Sequence, residues 1–355
     1  MSNELTATPG VPRIRKRISR VSRAVIWRLR WSQRTPIAVL LSIGYALIVV
    51  FFPWDVISKA GFSDFEQYVE HFNYFYNNLD ISAIEIYQIS ALQGYLTHEV
   101  LWYELIRWLT NMTGDAAIAL RIVSFFILFI WSLFLFKRIS FGVALLFLFN
   151  PTAIDVAMSG IRNGLAWSLV IVGLSVRSKP LKAAVFLPSM FIHASSLVLL
   201  TLYYFTTFAS RLLTWKTLLL VGLSAGIFLG LALTVGSELI LGTLGDRRVG
   251  EHYLVGGGSF LQASLWGIFL YLQCTSGRDY VRRNIFIIAL LAWYQIMNPF
   301  IPWSFRIWGA FLPVIAISAM NLPFRKRQLF LYFYSGYLIL QYLYWTKLFY
   351  YWYPA

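Results

Sequence analysis

The stretch AAIALRIVSFFILFIWSLFLF, residues 116–136, carries a single charge, Arg121, and is closed by Lys137-Arg138. About 20 apolar residues are enough to cross the hydrocarbon core of a bilayer. The segment therefore predicts a membrane-spanning helix whose basic end faces inward. Ile37–Pro53 and Ile285–Met297 are equally poor in charge. The whole chain has the same character: of 355 residues, 59% are hydrophobic, 18% aromatic and only 13% charged. Soluble domains run at about 25% charged. The composition excludes a soluble globular enzyme. A single cysteine, Cys274, excludes a disulfide framework or a cysteine-based metal site.

Outward from this helix, the basic residues set the topology. Arg13, Arg15, Lys16, Arg17, Arg20, Arg23, Arg28, Arg30 and Arg34 all precede the first apolar run. No signal-peptide cleavage pattern comes after them, and the run is long enough to span, so it reads as helix one, 36–53. The positive-inside rule puts the N-terminus in the cytoplasm. Residues 1–35 form a basic arm, where Trp27 and Trp31 suggest an interfacial helix. Residues 36–346 read as one transmembrane domain, and 347–355 as an outer tail.

Within that domain, 54–115 is a long outer segment. Later spans are expected over 116–136, 139–158, 161–176, 217–236, 259–273, 284–300, 305–320 and 328–346, with a second outer loop at 237–258. Residues 183–210 begin and end beside inner-side basic residues, yet are too short for two full spans. They read either as a re-entrant hairpin broken near His193-Ala194-Ser195-Ser196, or as one ordinary span. The fold class is thus an all-α polytopic integral membrane protein of about 9–11 transmembrane helices, including a re-entrant segment, with amphipathic helices in the first outer loop. The net charge of +15 is an orientation signal under this topology, and nucleic acid is not an expected partner. No internal repeat is visible, which disfavours a secondary transporter.

Eight basic residues break the orientation rule: Lys59, Arg107, Arg121, Arg162, Arg247, Arg248, Arg306 and Lys347. Arg162 and Arg306 each open an outward-to-inward helix, and Arg121 lies about a turn and a half below the outer end of its helix. One arginine at such a depth can simply snorkel. Three at one depth on one side point to a shared anion site, because a guanidinium fork matches phosphate oxygens. Helix N-termini at Arg162 and Arg306 add positive dipole ends. Arg247 and Arg248, among glycines in an outer loop, either close over the anion or stay solvated.

Asp155 comes after the helix-breaking Asn150-Pro151 and is expected to neutralise Arg162 across the hairpin. His193 is expected near the membrane midplane, as a functional group or as an imidazole bonded to Ser195 or Ser196. The outer segment 54–115 is acidic and aromatic. Asp64-Tyr68-Phe72-Phe75 and Trp102-Leu105-Trp108-Leu109 have helical spacing, with Glu99 upstream of the second set. Such faces suit sugars, or belong to an ordinary aromatic belt. No phosphate loop, HExxH motif or zinc-type spacing occurs.

The order Asp64-x-x-x-Tyr68, then Glu99 before Trp102-Tyr103, then Ile161-Arg162-Asn163-Gly164, then His193-Ala-Ser195-Ser196, then Arg306 resembles the EpsG-like branch of bacterial polysaccharide polymerases (Wzy-like O-antigen or exopolysaccharide polymerases). The resemblance covers roughly residues 55–310. Asn163 stands where the family usually has a residue such as Gln.

The resemblance implies a membrane glycosyltransferase in the bacterial inner membrane, with its active site facing the periplasm. Its donor and acceptor would be undecaprenyl-pyrophosphate-linked glycans, with membrane lipids around it and a chain-length regulator as a further partner. Arg162, Arg306 and Arg121 would hold the pyrophosphate, with Arg247 or Arg248 closing the site. Glu99 or Asp64 would take the acceptor proton, and His193 would either orient the phosphate or act as the base. No metal or cofactor is expected. The alternatives are a flippase for lipid-linked oligosaccharide and a ligase joining polymer to a lipid core.

Overall fold

The computed structural model describes residues 35–57, 62–77, 99–235, 259–301 and 304–346. Every regular element among them is a helix. The first part of the chain gives α1 (Thr35–Phe51), α2 (Trp54–Ile57), α3 (Ser63–Asn77), α4 (Val100–Thr113) and α5 (Ala116–Phe136). Next come α6 (Phe141–Leu148), α7 (Pro151–Met158), α8 (Ile161–Ser175), α9 (Lys179–Ile192) and α10 (Ser195–Leu212). The last part gives α11 (Trp215–Val235), α12 (Phe260–Cys274), α13 (Arg278–Met297), α14 (Ser304–Met320) and α15 (Phe324–Trp345).

The helix that decides the fold has clear local causes. Gly114 adopts φ +72°, a left-handed turn that suits glycine, and its N–H bonds the Thr110 carbonyl to end α4. Asp115 then caps α5, its carboxylate accepting from the N–H groups of Ala117 at 2.6 Å and Ile118 at 3.4 Å. The bounds of α5 match the expected 116–136.

Ala116–Phe136 and Trp215–Thr234 are long and apolar enough to cross a bilayer on their own, and α6 with α7 makes a bent span. Thr35–Phe51, Ile161–Ser175, Phe260–Cys274 and Arg306–Met320 are shorter apolar helices. Large apolar side chains are exposed along α1, α10, α11 and α15, among them Leu40, Phe208, Phe228 and Tyr332. Water would not tolerate such faces, whereas lipid does. The chain is an all-α polytopic membrane protein.

Two breaks in the helices shape the region around the N-terminal ends of α8 and α14. The expected span 139–158 is bent by 63° between α6 and α7. Pro151 cannot supply an N–H, and Asn150 caps α7 by accepting from Thr152 N at 2.8 Å. In lipid the freed carbonyls need new donors. Tyr45 donates to Leu148 O at 2.8 Å, and Tyr342 to Phe149 O at 2.5 Å. The second break lies at His193-Ala194, between α9 and α10. The segment expected over 183–210 is therefore two helices that meet at the predicted break, beginning earlier, at Lys179. In the same way α13 begins at Arg278, and the expected start at residue 284 is instead its kink, Asn284 at φ −116°.

Glycines set the closest contacts. Gly222, Gly226 and Gly230 on α11 lie against α13, where a Cβ on Gly226 would overlap the Ala289 carbonyl oxygen. Gly164 brings α8 within 3.1 Å of Ile127 on α5 and of the Val156 carbonyl on α7, measured from a notional Cβ. Gly309 lets α14 close on Thr152 and Val156 of the same α7. Thus α7 is held between α8 and α14, and the N-terminal turns of those two helices come together.

Candidate active site

Arg162 is the second residue of α8 and Arg306 the third of α14, and the packing of both helices on α7 brings the two guanidinium groups into one region. Helix α3 and the residue preceding α4 supply their partners. Arg162 donates from Nη1 to Glu99 Oε2 at 2.5 Å and from Nε to Tyr68 Oη at 2.8 Å. Its guanidinium carbon stands 5.5 Å from the centre of the Tyr68 ring. Arg306 makes a two-pronged contact with Asp64, through Nη1 to Oδ2 and through Nη2 to Oδ1 at 3.1 Å. Asp64 and Tyr68 are one turn apart on α3, so a single helical face grips both arginines.

Glu99 is the centre of the arrangement. One carboxylate oxygen meets Arg162, and the other pairs with His193 Nδ1. Its side chain is only 3% exposed, so the carboxylate depends on these two partners. Glu99 also has φ +56°, the one positive φ on a non-glycine among the described residues. L-residues adopt that conformation at a cost of about 1–3 kcal/mol, and such strain clusters at functional sites. His193 ends α9, its N–H bonding the Ser189 carbonyl at 3.1 Å. With Nδ1 on Glu99, the ring directs Nε2 away from its anchor. A carboxylate that fixes one nitrogen and leaves the other for chemistry is the usual arrangement for a histidine base.

The two halves of the cluster are joined. Asn163 Nδ2 donates to the Arg306 carbonyl at 2.9 Å. Asp155, on α7, lies with Oδ2 3.9 Å from Arg306 Nε. This corrects the expected pairing of Asp155 with Arg162: the buried Glu99 takes Arg162, and α14 presents Arg306 to α7 instead. Burial pushes the Tyr68 phenol above its ordinary value, so the hydroxyl keeps its proton beside Arg162.

Of the sequence-predicted residues, the structure brings together Glu99, Asp64, His193, Arg162 and Arg306. Arg121 has an exposed side chain and makes no hydrogen bond or ion pair among the described residues. Arg247 and Arg248 lie outside the described residues. His193 pairs with Glu99, and the buried hydroxyls of Ser195 and Ser196 have no hydrogen-bond partner among the described residues. Tyr68 is legible in the sequence only as part of a spacing, although it contacts Arg162 as directly as Glu99 does. The rings of α3 and α4 divide in two. Phe72, Trp102 and Tyr103 are buried where α3 packs on α4, while Tyr74 and Trp108 are exposed.

No curated protein and no solved structure matches the chain. The EpsG family matches over residues 39–354, nearly the entire length, and includes every residue of the cluster. The chain therefore belongs to the EpsG family, an EpsG-like polysaccharide polymerase family.

Proposed function

We propose that the protein is a membrane glycosyltransferase that polymerises undecaprenyl-pyrophosphate-linked repeat units at the outer face of the bacterial inner membrane. The observation that carries this reading is Glu99, a buried carboxylate shared between Arg162 and His193. The orientation rests on the basic residues at the opposite ends of the helices, including Arg177, Lys182, Arg278 and Arg325.

The donor is a growing glycan on a lipid diphosphate, and the acceptor is a sugar hydroxyl on the next lipid-linked repeat. His193 Nε2 takes the hydroxyl proton as the oxygen attacks the anomeric carbon. A new carbon–oxygen bond forms there, and the bond from that carbon to the phosphate oxygen breaks. The electron pair leaves with the lipid diphosphate. Glu99 fixes the tautomer of His193 and balances the imidazolium that forms. Arg306 and Arg162 bring positive charge to the leaving group, a kind of stabilisation worth ~3–4 kcal/mol per fixed donor. Arg247 and Arg248 are assigned, from sequence, to the loop that closes the site.

The test is chain growth by purified protein on defined lipid-linked repeats, read as product length on a gel. Ladders of repeats are expected from the natural chain and none from His193→Ala. Transfer of a finished polymer onto a lipid core, without ladders, would identify a ligase instead.

A further inference from the structure

Among the described residues the cluster holds one more carboxylate than guanidinium: Glu99, Asp64 and Asp155 face Arg162 and Arg306. A diphosphate brings further negative charge into this space, so a carboxylate has to give way. Exposure decides which one. The Glu99 side chain is 3% exposed and wedged between two partners, and removing either partner would strand a buried charge. The Asp64 and Arg306 side chains are 23% and 31% exposed, so water screens this pair more than it does the Glu99 pair and the pair gives way more easily. Asp155 sits toward Nε of Arg306, and leaves the terminal nitrogens to Asp64.

The geometry of that more accessible pair is informative. Asp64 spans both terminal nitrogens of Arg306 with its two oxygens, which is how a phosphate group meets a guanidinium fork. Resting on the polymerase reading above, we propose that Asp64 is a stand-in for phosphate on Arg306, and that a lipid-linked diphosphate binds by exchanging with it. The incoming oxygens take the Nη1 and Nη2 edge, and α3 loses its hold on α14. The buried pair of Arg162 with Glu99 stays intact. The two arginines therefore have different work. Arg306 is the first point of contact for the diphosphate, whereas Arg162 keeps its grip on Glu99, and through it on His193, while lending its charge to the leaving group.

The full chain in nanodiscs, titrated with inorganic pyrophosphate in one arm and a short prenyl diphosphate in the other, tests the exchange. Asp64→Asn keeps the shape and removes the competing charge. Binding about 10-fold tighter than in the natural chain is expected. Tightening in both arms identifies the diphosphate group itself as the ligand, and tightening in the prenyl arm alone identifies the lipid headgroup. Unchanged or weaker binding in both overturns the proposal, as does full binding by Arg306→Gln.

A second measurement needs no substitution. Hydrogen exchange across residues 63–77 of the natural chain is expected to rise on saturation with pyrophosphate, and protection or no change with ligand bound overturns the exchange. The two readings separate cleanly. Tightening without chain growth keeps the exchange and removes the polymerase assignment. Chain growth without tightening does the reverse.

Discussion

Asn163 donates from its side chain to the backbone carbonyl of Arg306 at 2.9 Å, tying the first turn of α8 to the first turn of α14. Arg162 is its immediate neighbour in the chain, so the bond fixes the spacing of the two guanidinium groups without using either of them. Asn163→Ala should lower stability by about 1 kcal/mol, the usual worth of one such bond. Chain growth should fall by more than that loss of folded protein explains. Asn163→Gln, which can still reach a carbonyl, should recover much of the activity. Thermal unfolding in detergent and gel-resolved product length, measured together, decide this.

Glu99→Gln removes the charge while keeping two polar atoms beside Arg162 and His193. With the tautomer of His193 no longer fixed, turnover should fall by roughly 100-fold or more, a loss of the size expected when base catalysis fails. Binding of donor should change little. Full turnover in this variant would move the base away from His193.

Arg162→Lys keeps the charge but has one nitrogen where two separate contacts are made, Nη1 to Glu99 and Nε to Tyr68. The substitution should act like a partial Arg162→Ala, with shorter products at equal enzyme concentration. Tyr68→Phe, which loses only the Nε partner, should be milder. A steady series from Phe to Lys to Ala in initial rate is the expected outcome.

Gly226→Val places a branched side chain where the Ala289 carbonyl oxygen already stands. Helices α11 and α13 would have to separate, and overpacking of this kind typically costs about 1–3 kcal/mol or more. The unfolding temperature should drop clearly. Gly44→Ala, at a glycine with open space around its Cβ position, should leave it nearly unchanged and serves as the control.

How much of the molecule is legible in its sequence depends on the range of the interaction. The apolar runs locate α1, α5, α8, α11, α12, α14 and α15 to within a few residues, because lipid demands one continuous apolar stretch per helix. Helix ends drift where basic residues continue the helix beyond the apolar run, as at Arg278 in α13. The residue types of the site are visible as well, since Arg162 and Arg306 violate the charge rule. Their partners are not. Arg306 and Asp64 are 242 positions apart, and no period or spacing connects them. The expected pairing of Asp155 with Arg162 fails for that reason: proximity in sequence favours Arg162, whereas the rotation of α7 against α14 decides the contact.

The glycines hold a signal of their own. Gly222, Gly226 and Gly230 recur at four-residue intervals on one helix face, a pattern that announces close helix packing in membranes. Gly164 and Gly309, each within three residues of a site arginine, mark the places where backbones must touch for those arginines to converge.

The backbone conformation at position 99 would suit a glycine better than the acid it carries. The main chain there curls the opposite way from every other described residue that bears a side chain. Glu99→Gly would relax that curl but leave the Arg162 guanidinium buried without its carboxylate, so the variant should melt at a lower temperature than the natural chain and build no polymer. A position that bears backbone strain in order to seat a buried charge is one that engineering for robustness has to leave alone.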